Sequence, residues 1–195
     1  MKCKICNNKT QKKIKITRNK KKIATYYCKS CDLITTNKEN KFKLSNNLLD
    51  KSRLNNSGLK IPKLNIDFKN GLYQSKKYLK NTKIKFKKNN KILEIGASWG
   101  FFLKSIPLPN KNKYAVEISK VRSDYINKKL KIKSFYSIDE IKKKNIIFDK
   151  IFILYVIEYI KDINKFFYDI ISLSKKNTKI YIITPNLNDP LINLW

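Results

Sequence analysis

The sequence predicts an α/β fold with a mostly parallel sheet, preceded by a small N-terminal module that contains cysteines. From residue 89 onwards, short apolar segments alternate with amphipathic ones, the pattern of parallel strands joined by helices. All four cysteines stand in two C-x-x-C pairs near the N-terminus. We therefore divide the chain into a cysteine module at 1–42, a linker and packing helix at 43–88, and a main domain at 89–195.

The composition limits the classes of partner. The chain has 195 residues, 42% of them hydrophobic, which suffices for one core and a small appended module. Its net charge of +31 would suit a nucleic-acid-binding protein. Only three of its 45 basic residues are Arg, however, the residue that reads nucleic acid best. Lys, Asn, Ile, Tyr and Phe share A/T-rich codons, so we attribute the charge to base composition. The basic surface would attract an anionic substrate whatever the origin of the lysines.

No segment of the sequence predicts export or membrane insertion. Met1 is followed by Lys-Cys-Lys, with none of the apolar stretch of a signal peptide. The longest apolar run, at 151–157, is much shorter than the roughly 20 residues that span a bilayer. We expect a cytoplasmic protein without a membrane span.

The two C-x-x-C pairs predict a structural zinc site of the zinc-ribbon type. Each pair places two thiolates on one tight turn, and the 21-residue gap between the pairs fits a β-hairpin. Disulfides are disfavoured in a reducing compartment, and redox-active pairs rarely come doubled. Four thiolates leave no open position, so the metal would hold the fold and take no part in catalysis. The predicted ligands are Cys3, Cys6, Cys28 and Cys31.

Hydrophobic periodicity places the remaining elements. Ile14 and Ile16, then Ala24, Tyr26 and Tyr27, indicate the two hairpin strands, whereas the polar residues 44–60 indicate a linker. An amphipathic packing helix is predicted by helical spacing of Leu72, Tyr73, Lys76 and Leu79. In the main domain, strands are predicted at 91–95, 114–118, 132–135, 150–154 and 179–184. Helices are predicted between them at 101–105, 120–129, 138–143 and 163–174.

A glycine-bracketed turn between the first strand and helix predicts a ligand site. Residues 92–100 read Ile-Leu-Glu-Ile-Gly-Ala-Ser-Trp-Gly, so Gly96 and Gly100 enclose the turn. A strand, a tight turn and a helix N-terminus together form a cradle for a nucleotide-like ligand. Glu117, at the end of the second strand, could accept hydrogen bonds from both ribose hydroxyls.

This arrangement could also suit NAD, but three features argue against it. The turn is G-x-x-x-G and lacks the G-x-G-x-x-G spacing of dinucleotide-binding turns. Glu94 places an acidic residue before the first glycine. The segment that follows the fourth strand also differs in character from that of dinucleotide-binding folds.

These residues resemble the class I S-adenosylmethionine-dependent methyltransferases. Glu94-Ile-Gly96-Ala-Ser-Trp-Gly100 is similar to their first motif, E/D-x-G-x-G-x-G, and Val116-Glu117 is similar to their acidic second motif. Residues 137–139 fall at their adenine-contacting loop, 149–160 resemble F-D-x-I-x-x-x-H-V-L-E-H-I, and 183–186 resemble the fifth strand and its Pro-Asn turn. With the cysteine module, the chain resembles bacterial methyltransferases that carry a zinc-ribbon head and are linked to sugar or surface-glycan biosynthesis.

The resemblance implies a Rossmann-like fold and roles for particular residues. S-adenosylmethionine would be the cofactor, with the turn against its methionine part, Glu94 near its amino end and Glu117 at its ribose. The implied cofactor-binding residues are Glu94, Gly96, Ser98, Gly100, Glu117, Ile138 and Asp139. Residues that follow the fourth strand would lie near the acceptor, and the implied catalytic candidates are Tyr155, Glu158 and Tyr159.

The sequence departs from the family pattern in three places. Ser98 replaces the middle glycine of the first motif, and a serine is strained at positive φ. Tyr155 and Tyr159 replace the two histidines, and the chain has no histidine at all. The last two strands of the family's seven-stranded sheet are not evident before Trp195, which suggests a truncated domain. We expect such a chain to be a poor catalyst and to self-associate through its unfinished sheet edge.

Three functional hypotheses remain open. The first is methyl transfer to a sugar, a nucleotide-sugar or another glycan-related small molecule, with S-adenosylmethionine and structural Zn²⁺ as cofactors. The second is an rRNA or tRNA methyltransferase whose zinc ribbon grips RNA, against which the scarcity of arginine argues. The third is a non-catalytic methyltransferase-fold remnant, which the apparently missing strands favour.

Overall fold

A computed structural model describes residues 1–16, 22–36 and 64–184 of the chain. The contacts among Cα atoms divide the chain into two compact units, one around an N-terminal antiparallel sheet and one around a parallel sheet. The predicted linker at 44–60 and the residues after Thr184 lie outside the described part. Within that part, no helix is both long enough and apolar enough to cross a membrane.

The N-terminal unit is a three-stranded antiparallel sheet. The strands β1 (Gln11–Ile16), β2 (Lys22–Cys28) and β3 (Leu33–Thr36) follow one another in the order β1-β2-β3. Gln11 lies opposite Tyr27 in the first pair of strands, which confirms the predicted hairpin between the two cysteine pairs. The third strand was not predicted from the sequence; it pairs with the end of β2, where Leu33 lies opposite Cys28.

The second unit contains the predicted parallel sheet. Its strands are β4 (Ile92–Ile95), β5 (Lys113–Val116), β6 (Lys133–Phe135), β7 (Phe148–Leu154) and β8 (Ser174–Ile183). All neighbours pair in parallel, in the order β6-β5-β4-β7-β8. The helices are α1 (Leu64–Thr82), α2 (Phe101–Ser105), α3 (Lys120–Lys128), α4 (Ile138–Lys142) and α5 (Ile163–Ser172). The α/β, Rossmann-like fold class is therefore confirmed.

Three predicted strand boundaries were wrong by more than one residue, and one of them is the start of β7, which lies at Phe148 and not at residue 150. The second strand ends at Val116 and not at residue 118, so Glu117 lies just beyond β5. The fifth strand begins at Ser174 and not at residue 179. There the Thr178 hydroxyl donates to the Phe148 carbonyl at 2.6 Å, and the register shifts between Phe148 and Lys150. Side-chain hydrogen bonding thus extends a mostly exposed polar segment into the sheet, although hydrophobic periodicity gave no sign of it.

Aromatic side chains join the helices to one face of the parallel sheet. Phe102 of α2 packs on Phe152 of β7, with ring centroids 4.8 Å apart, and Phe152 stacks on Tyr181 of β8 at 4.7 Å. Tyr78 of α1 contacts Phe102 edge-on at 6.0 Å. The predicted helix therefore packs on the sheet, but through Tyr78 and not through Tyr73, whose side chain is 65% exposed.

Asp149 holds three strand segments together at the amino-terminal edge of the sheet. Its carboxylate accepts the backbone N–H of Lys91, just before β4, at 2.7 Å. The other oxygen pairs with the Lys175 ammonium of β8 at 2.6 Å. The loops that could form a site lie at the opposite, carboxyl-terminal edge of the sheet, as in other parallel α/β sheets.

Candidate functional site

The turn after β4 has the backbone conformation that the sequence suggested. Gly96, Ser98 and Gly100 have φ values of 74°, 51° and 75°, all in the left-handed region. The backbone N–H of Gly96 donates to the Val116 carbonyl at 2.7 Å, which holds the turn against the end of β5. The chain thus turns sharply into α2 at the carboxyl edge of the sheet.

Contacts within the protein explain why residues 96 and 100 are glycines. A Cβ atom on Gly96 would collide with Cγ2 of Val156, in the loop after β7. A Cβ on Gly100 would lie 2.7 Å from Cδ1 of Leu130. Both positions also require positive φ, which other residues adopt only with strain. The turn is therefore enclosed from two sides by the chain itself.

Glu117 braces this turn. One of its carboxylate oxygens accepts the backbone N–H of Ser98 at 2.7 Å, and the other accepts the backbone N–H of Ser119 at 2.9 Å. The residue is only 5% exposed. A hydrogen bond to a buried carboxylate is stronger than one between neutral groups, so it offsets the strain of a serine at positive φ. The sequence did not reveal this contact, which joins the first and second motifs.

Glu94 is a second buried carboxylate close to the turn. It accepts a backbone hydrogen bond from Leu103 of α2, but its Oε2 atom is buried and has no hydrogen-bond partner. Burial raises the pKa of the Glu94 carboxyl well above its ordinary value, and the charge of Glu117 raises it further, whereas the Leu103 hydrogen bond lowers it. A buried acceptor without a donor is costly, so this site would be stabilised by a ligand that brings a donor or a positive charge.

The predicted adenine-contacting residues lie at the same edge, after β6. Ser137 caps α4 by accepting the backbone N–H of Glu140 at 3.2 Å, which fixes the start of the helix. Ile138 is half-buried and Asp139 is exposed, both in the first turn of α4. The topology therefore places them at the same edge as Glu117, on the loop after the neighbouring strand.

The three catalytic candidates follow β7. Tyr155 has a φ of 56°, its backbone N–H donates to the Ile183 carbonyl at 2.8 Å, and its side chain is 59% exposed. Glu158 and Tyr159 lie in a single 3-10 turn and are also exposed. The contact between Val156 and Gly96 places this loop directly beside the glycine turn. The structure therefore places this loop at the candidate site. The side chains of the three candidates are exposed there and do not form a buried cluster.

The sequence missed two further tyrosines near this loop. Burial raises the pKa of Tyr78, and the charges of Tyr181 and Tyr155 raise it further, so the three phenol groups lie within electrostatic reach of one another. Tyr78 comes from α1 and Tyr181 from β8. Helical periodicity would have found Tyr78 only if Leu79, and not Tyr73, had been taken as the centre of the packed face.

The four cysteines form a separate cluster in the N-terminal unit. Their Sγ atoms lie within 4.8 Å of one another, and those of Cys6 and Cys28 are 3.5 Å apart. A tetrahedral zinc site with Zn–S bonds of about 2.3 Å has sulfur atoms about 3.8 Å apart, so the cluster fits this metal. Hydrogen bonds from the backbone N–H groups of Cys6 and Ile5 lower the pKa of Cys3 to about 6, which favours a thiolate ligand.

A lysine-lined cleft of about 810 Å³ opens at the amino-terminal edge of the parallel sheet. Lys87, Lys91 and Lys175 contribute to its wall, together with Asp149. Ligands of parallel α/β sheets bind at the opposite, carboxyl edge. The cleft is therefore distinct from the glycine turn, and none of the predicted site residues lines it.

Comparisons with known proteins identify the fold family. A family model described as a methyltransferase domain matches residues 72–195. No curated protein matches the chain. The matched domain includes α1 from Leu72 onwards, the whole described parallel sheet and every residue of the candidate site at its carboxyl edge.

Several solved structures are similar to the chain at low identity. The plantazolicin methyltransferase BpumL, in complex with a pentazolic desmethylPZN analog and SAH, is 18% identical, with a TM-score of 0.48 over 74% of this chain and 55% of that one. Coclaurine N-methyltransferase bound to N-methylheliamine and SAH is 15% identical, with a TM-score of 0.46 over 57% and 35%. A SAM-dependent methyltransferase from Archaeoglobus fulgidus is 20% identical, with a TM-score of 0.41 over 60% and 54%. The chain thus spans between about a third and just over half of their lengths.

Proposed function

The chain belongs to this methyltransferase-domain family, and from that premise we propose that it transfers a methyl group from S-adenosylmethionine to a sugar, nucleotide-sugar or other glycan-related small molecule. The observation that carries the proposal is the carboxylate pair at the turn. Glu117 braces the turn, and Glu94 leaves a buried oxygen without a donor. Because S-adenosylmethionine carries an ammonium and a sulfonium group, two carboxylates at its site complement its positive charges.

The residues at the carboxyl edge fit this cofactor. Glu117 would hold the ribose hydroxyls, since each carboxylate oxygen accepts more than one hydrogen bond. Glu94 would face the amino end. The turn formed by Gly96, Ser98 and Gly100 would lie against the methionine part, and Ile138 and Asp139 beside the adenine.

When bound, the cofactor supplies an activated methyl group, so the protein has to align the acceptor and exclude water. The loop after β7 is the proposed acceptor-facing element, because Val156 packs against Gly96. Tyr155 and Tyr159 would donate or accept hydrogen bonds to acceptor hydroxyls from this loop. Glu158 would take up the acceptor proton or orient the acceptor.

A sugar-type acceptor is supported by the resemblance to methyltransferases with a zinc-ribbon head and by the basic surface. The net charge of +31 would attract nucleotide-sugars or other anionic acceptors. The same charge favours a second candidate, an rRNA or tRNA methyltransferase. Transfer of a labelled methyl group to a nucleotide-sugar panel and to total RNA, assayed in parallel, distinguishes the two. Label in RNA alone would refute the sugar assignment.

We further propose that Cys3, Cys6, Cys28 and Cys31 hold one structural Zn²⁺ ion, and that residues 1–42 form a zinc ribbon separate from the domain at 89–195. The support is the mutual distance of the four Sγ atoms. A cytoplasmic location is consistent with four thiols kept reduced for metal binding. Metal analysis of protein purified without chelator tests the site, and zinc content well below one per chain would contradict it.

A further inference from the structure

Positive charge is concentrated where the chain enters the parallel sheet, at its amino-terminal edge. Each loop that leads into β4, β5, β6 or β7 contains at least one lysine and no acidic residue; these loops are residues 83–91, 106–112, 129–132 and 143–147. At β8, Lys175 and Lys176 stand within the first three residues of the strand. Every strand of the described sheet is therefore entered past at least one lysine.

The loops at the carboxyl-terminal edge have the opposite character. They contain one lysine, Lys161, against three acidic residues; these loops are residues 96–100, 117–119, 136–137 and 155–162. The two edges of the same sheet therefore differ in charge.

Neither codon bias nor helix dipoles account for this distribution. A codon bias would add lysines to both sets of loops. The negative end of a helix dipole attracts lysine only within about the last turn, whereas Lys87, Lys88 and Lys91 lie at least five residues beyond the end of α1 at Thr82. The lysines of the amino-terminal edge therefore indicate a role of their own.

The lysines before β4 project from a well-braced turn. The backbone N–H of Lys87 donates to the side-chain oxygen of Asn90 at 3.0 Å, and the backbone N–H of Asn90 donates to the Lys87 carbonyl at 2.8 Å. The side-chain amide of Asn112 donates to the Lys88 carbonyl at 2.9 Å. These contacts fix the backbone, while Lys87, Lys88 and Lys91 remain exposed. An anion that bound them would not have to order the backbone first.

The cleft of about 810 Å³ at this edge concentrates the charge further. Among the described residues of its wall, Asp149 is the one acidic side chain, and it already pairs with Lys175 at 2.6 Å. Lys150 of β7 is only 9% exposed, and burial lowers its pKa. The positive charges of Lys179 and Lys87 lower that pKa further, although the Asp149 carboxylate raises it. Neighbouring ammonium groups thus repel one another here, and a bound anion would relieve the repulsion.

We propose that the amino-terminal edge of the parallel sheet binds the phosphate backbone of a nucleic acid. Lysine ammonium groups and the side-chain amides of Asn89 and Asn145, which also line the cleft, are donors for phosphate oxygens. The described wall contains no aromatic side chain on which a base could stack, so the contact is independent of base sequence. The surface lies opposite the proposed acceptor loop, and the inference does not depend on the proposed function.

The length of the charged edge favours a polymer over a small anion. Five neighbouring strands about 4.8 Å apart make an edge roughly 19 Å long. Successive phosphates on one strand of B-DNA advance by only about 3.4 Å along the axis, so several phosphates would meet lysines at once. A bilayer surface fits this edge less well, because the cleft is concave and Ile147 is the one apolar residue of its described wall.

The test measures how salt weakens the binding of a fluorescein-labelled single-stranded RNA of about 20 nucleotides, longer than the edge, by fluorescence anisotropy. The edge variant of the full chain carries Lys87→Gln, Lys88→Gln and Lys91→Gln. The matched variant removes three exposed lysines from α1 and α3 and carries Lys69→Gln, Lys76→Gln and Lys120→Gln.

Each lost phosphate contact should reduce the steepness of log K against log salt by about 0.7 for a single strand. We therefore expect the steepness to fall by about 2 in the edge variant and to stay at the parental value in the matched variant. A parent that does not bind RNA saturably, or an equal fall in both variants, would overturn the proposal.

Two further variants separate binding from folding. Arginine at positions 87, 88 and 91 keeps the charge and should keep the parental steepness. If thermal denaturation shows that the edge variant does not fold, Lys87→Gln alone decides the matter. It should reduce the steepness by about 0.7, and an unchanged steepness in Lys87→Gln would overturn the proposal.

The remaining measurements distinguish other partners and the proposed function. Vesicles of phosphatidylcholine and phosphatidylserine in equal parts should sediment equally with the edge and matched variants. If the edge variant alone loses the vesicles, while both variants bind RNA equally, the surface belongs to a membrane and the proposal is overturned. The edge variant should bind S-adenosylhomocysteine like the parent, because the glycine turn lies at the other edge. A parent that binds RNA at this edge but not S-adenosylhomocysteine would support this proposal and refute the cofactor assignment.

Discussion

Different forces stabilise the two units of this chain, each taken by itself. Among the residues of the N-terminal unit whose side-chain burial the structure describes (1–14 and 24–35), the buried ones are Cys3, Cys28, Thr10 and Thr25, and no large aliphatic or aromatic side chain is among them. The parallel-sheet unit, by contrast, buries a continuous apolar cluster that includes Phe102 and Phe152 at 5% exposure or less. The fold of the N-terminal unit thus depends on a link among its four cysteine sulfur atoms. The fold of the parallel-sheet unit depends on the burial of apolar surface.

Because of this difference, the two units suit different kinds of function. A small sheet whose described side chains bury little apolar surface is poorly suited to fix a cleft, but it can be made rigid by a metal. The parallel sheet can carry the energetic costs seen at its carboxyl edge, namely three positive-φ residues in one turn and an unpaired buried oxygen on Glu94. Strain at one edge, offset by packing elsewhere, is typical of binding sites.

The largest effect should come from breaking the metal cluster. Cys28→Ser should abolish binding of about one zinc per chain and unfold the N-terminal unit, because the described side chains of that unit bury little apolar surface. The parallel sheet should keep its cooperative unfolding transition. Amide hydrogen exchange measures both units in one sample. Ser30→Ala, next to the same knuckle, is the matched control, and a fully protected N-terminal sheet in Cys28→Ser would refute the comparison.

Gly96→Ala should give the next largest effect, on the other unit. A methyl group there collides with Val156 and must adopt a φ of 74°, so we expect a loss of about 2–4 kcal/mol in the free energy of unfolding. Urea denaturation followed by tryptophan fluorescence checks this. Adding Val156→Ala should recover part of the loss by removing the collision. A Gly96→Ala protein as stable as the parent would mean that the turn is not enclosed as described.

Glu117→Ala should weaken both the turn and the proposed cofactor site. It leaves the backbone N–H groups of Ser98 and Ser119 without their carboxylate, and it removes the proposed ribose acceptor. We expect binding of S-adenosylhomocysteine to weaken by roughly 1–3 kcal/mol. Glu140→Gln, which removes a negative charge near the same edge, should bind like the parent. Equal affinities of Glu117→Ala and the parent in calorimetry would remove Glu117 from the site.

The smallest effect concerns the pH dependence of stability. Because the pKa of Glu94 is raised in the folded state above its ordinary 4.5, the folded protein holds the proton more tightly than the unfolded chain. The contribution of Glu94 to stability should therefore fall as the pH rises above about 4.5, and Glu94→Gln should abolish this slope. Parallel pH profiles of the melting temperature measure it. The profiles should be measured only below about pH 7.5, because burial lowers the pKa of Lys113 to about 8. If the melting temperatures of the parent and of Glu94→Gln change with pH by the same amount, this would count against a protonated Glu94.

Local pattern predicted most of the fold, and contacts distant in sequence account for what it missed. The strands at Ile92–Ile95 and Phe148–Leu154 were visible because they are short apolar runs bounded by turns. The early start of β8 depends on Thr178 bonding to Phe148, thirty residues away, which periodicity does not register. The third strand of the N-terminal sheet is a short segment that needs β2 as its partner.

The candidate site was predictable in composition but not in connectivity. Residue types and spacing placed Glu94, the glycines and Glu117 at one edge, because strand ends in a parallel sheet share an edge. That Glu117 bonds to the backbone of Ser98, or that Arg122 stands over the Trp99 ring, depends on side-chain directions that only the packed structure fixes. The serine in the first motif therefore looked like a defect in the sequence, whereas in the structure its N–H group is part of the brace.

Titration calorimetry of the full chain with S-adenosylhomocysteine, and with NAD as the competing ligand, tests the central claim most directly. The account predicts saturable binding of about one S-adenosylhomocysteine per chain, weakened by Glu117→Ala, and no comparable binding of NAD. It predicts the same result for Cys28→Ser, because the site lies within the parallel-sheet unit. Failure of S-adenosylhomocysteine to bind a folded parent chain, or tighter binding of NAD, would contradict it.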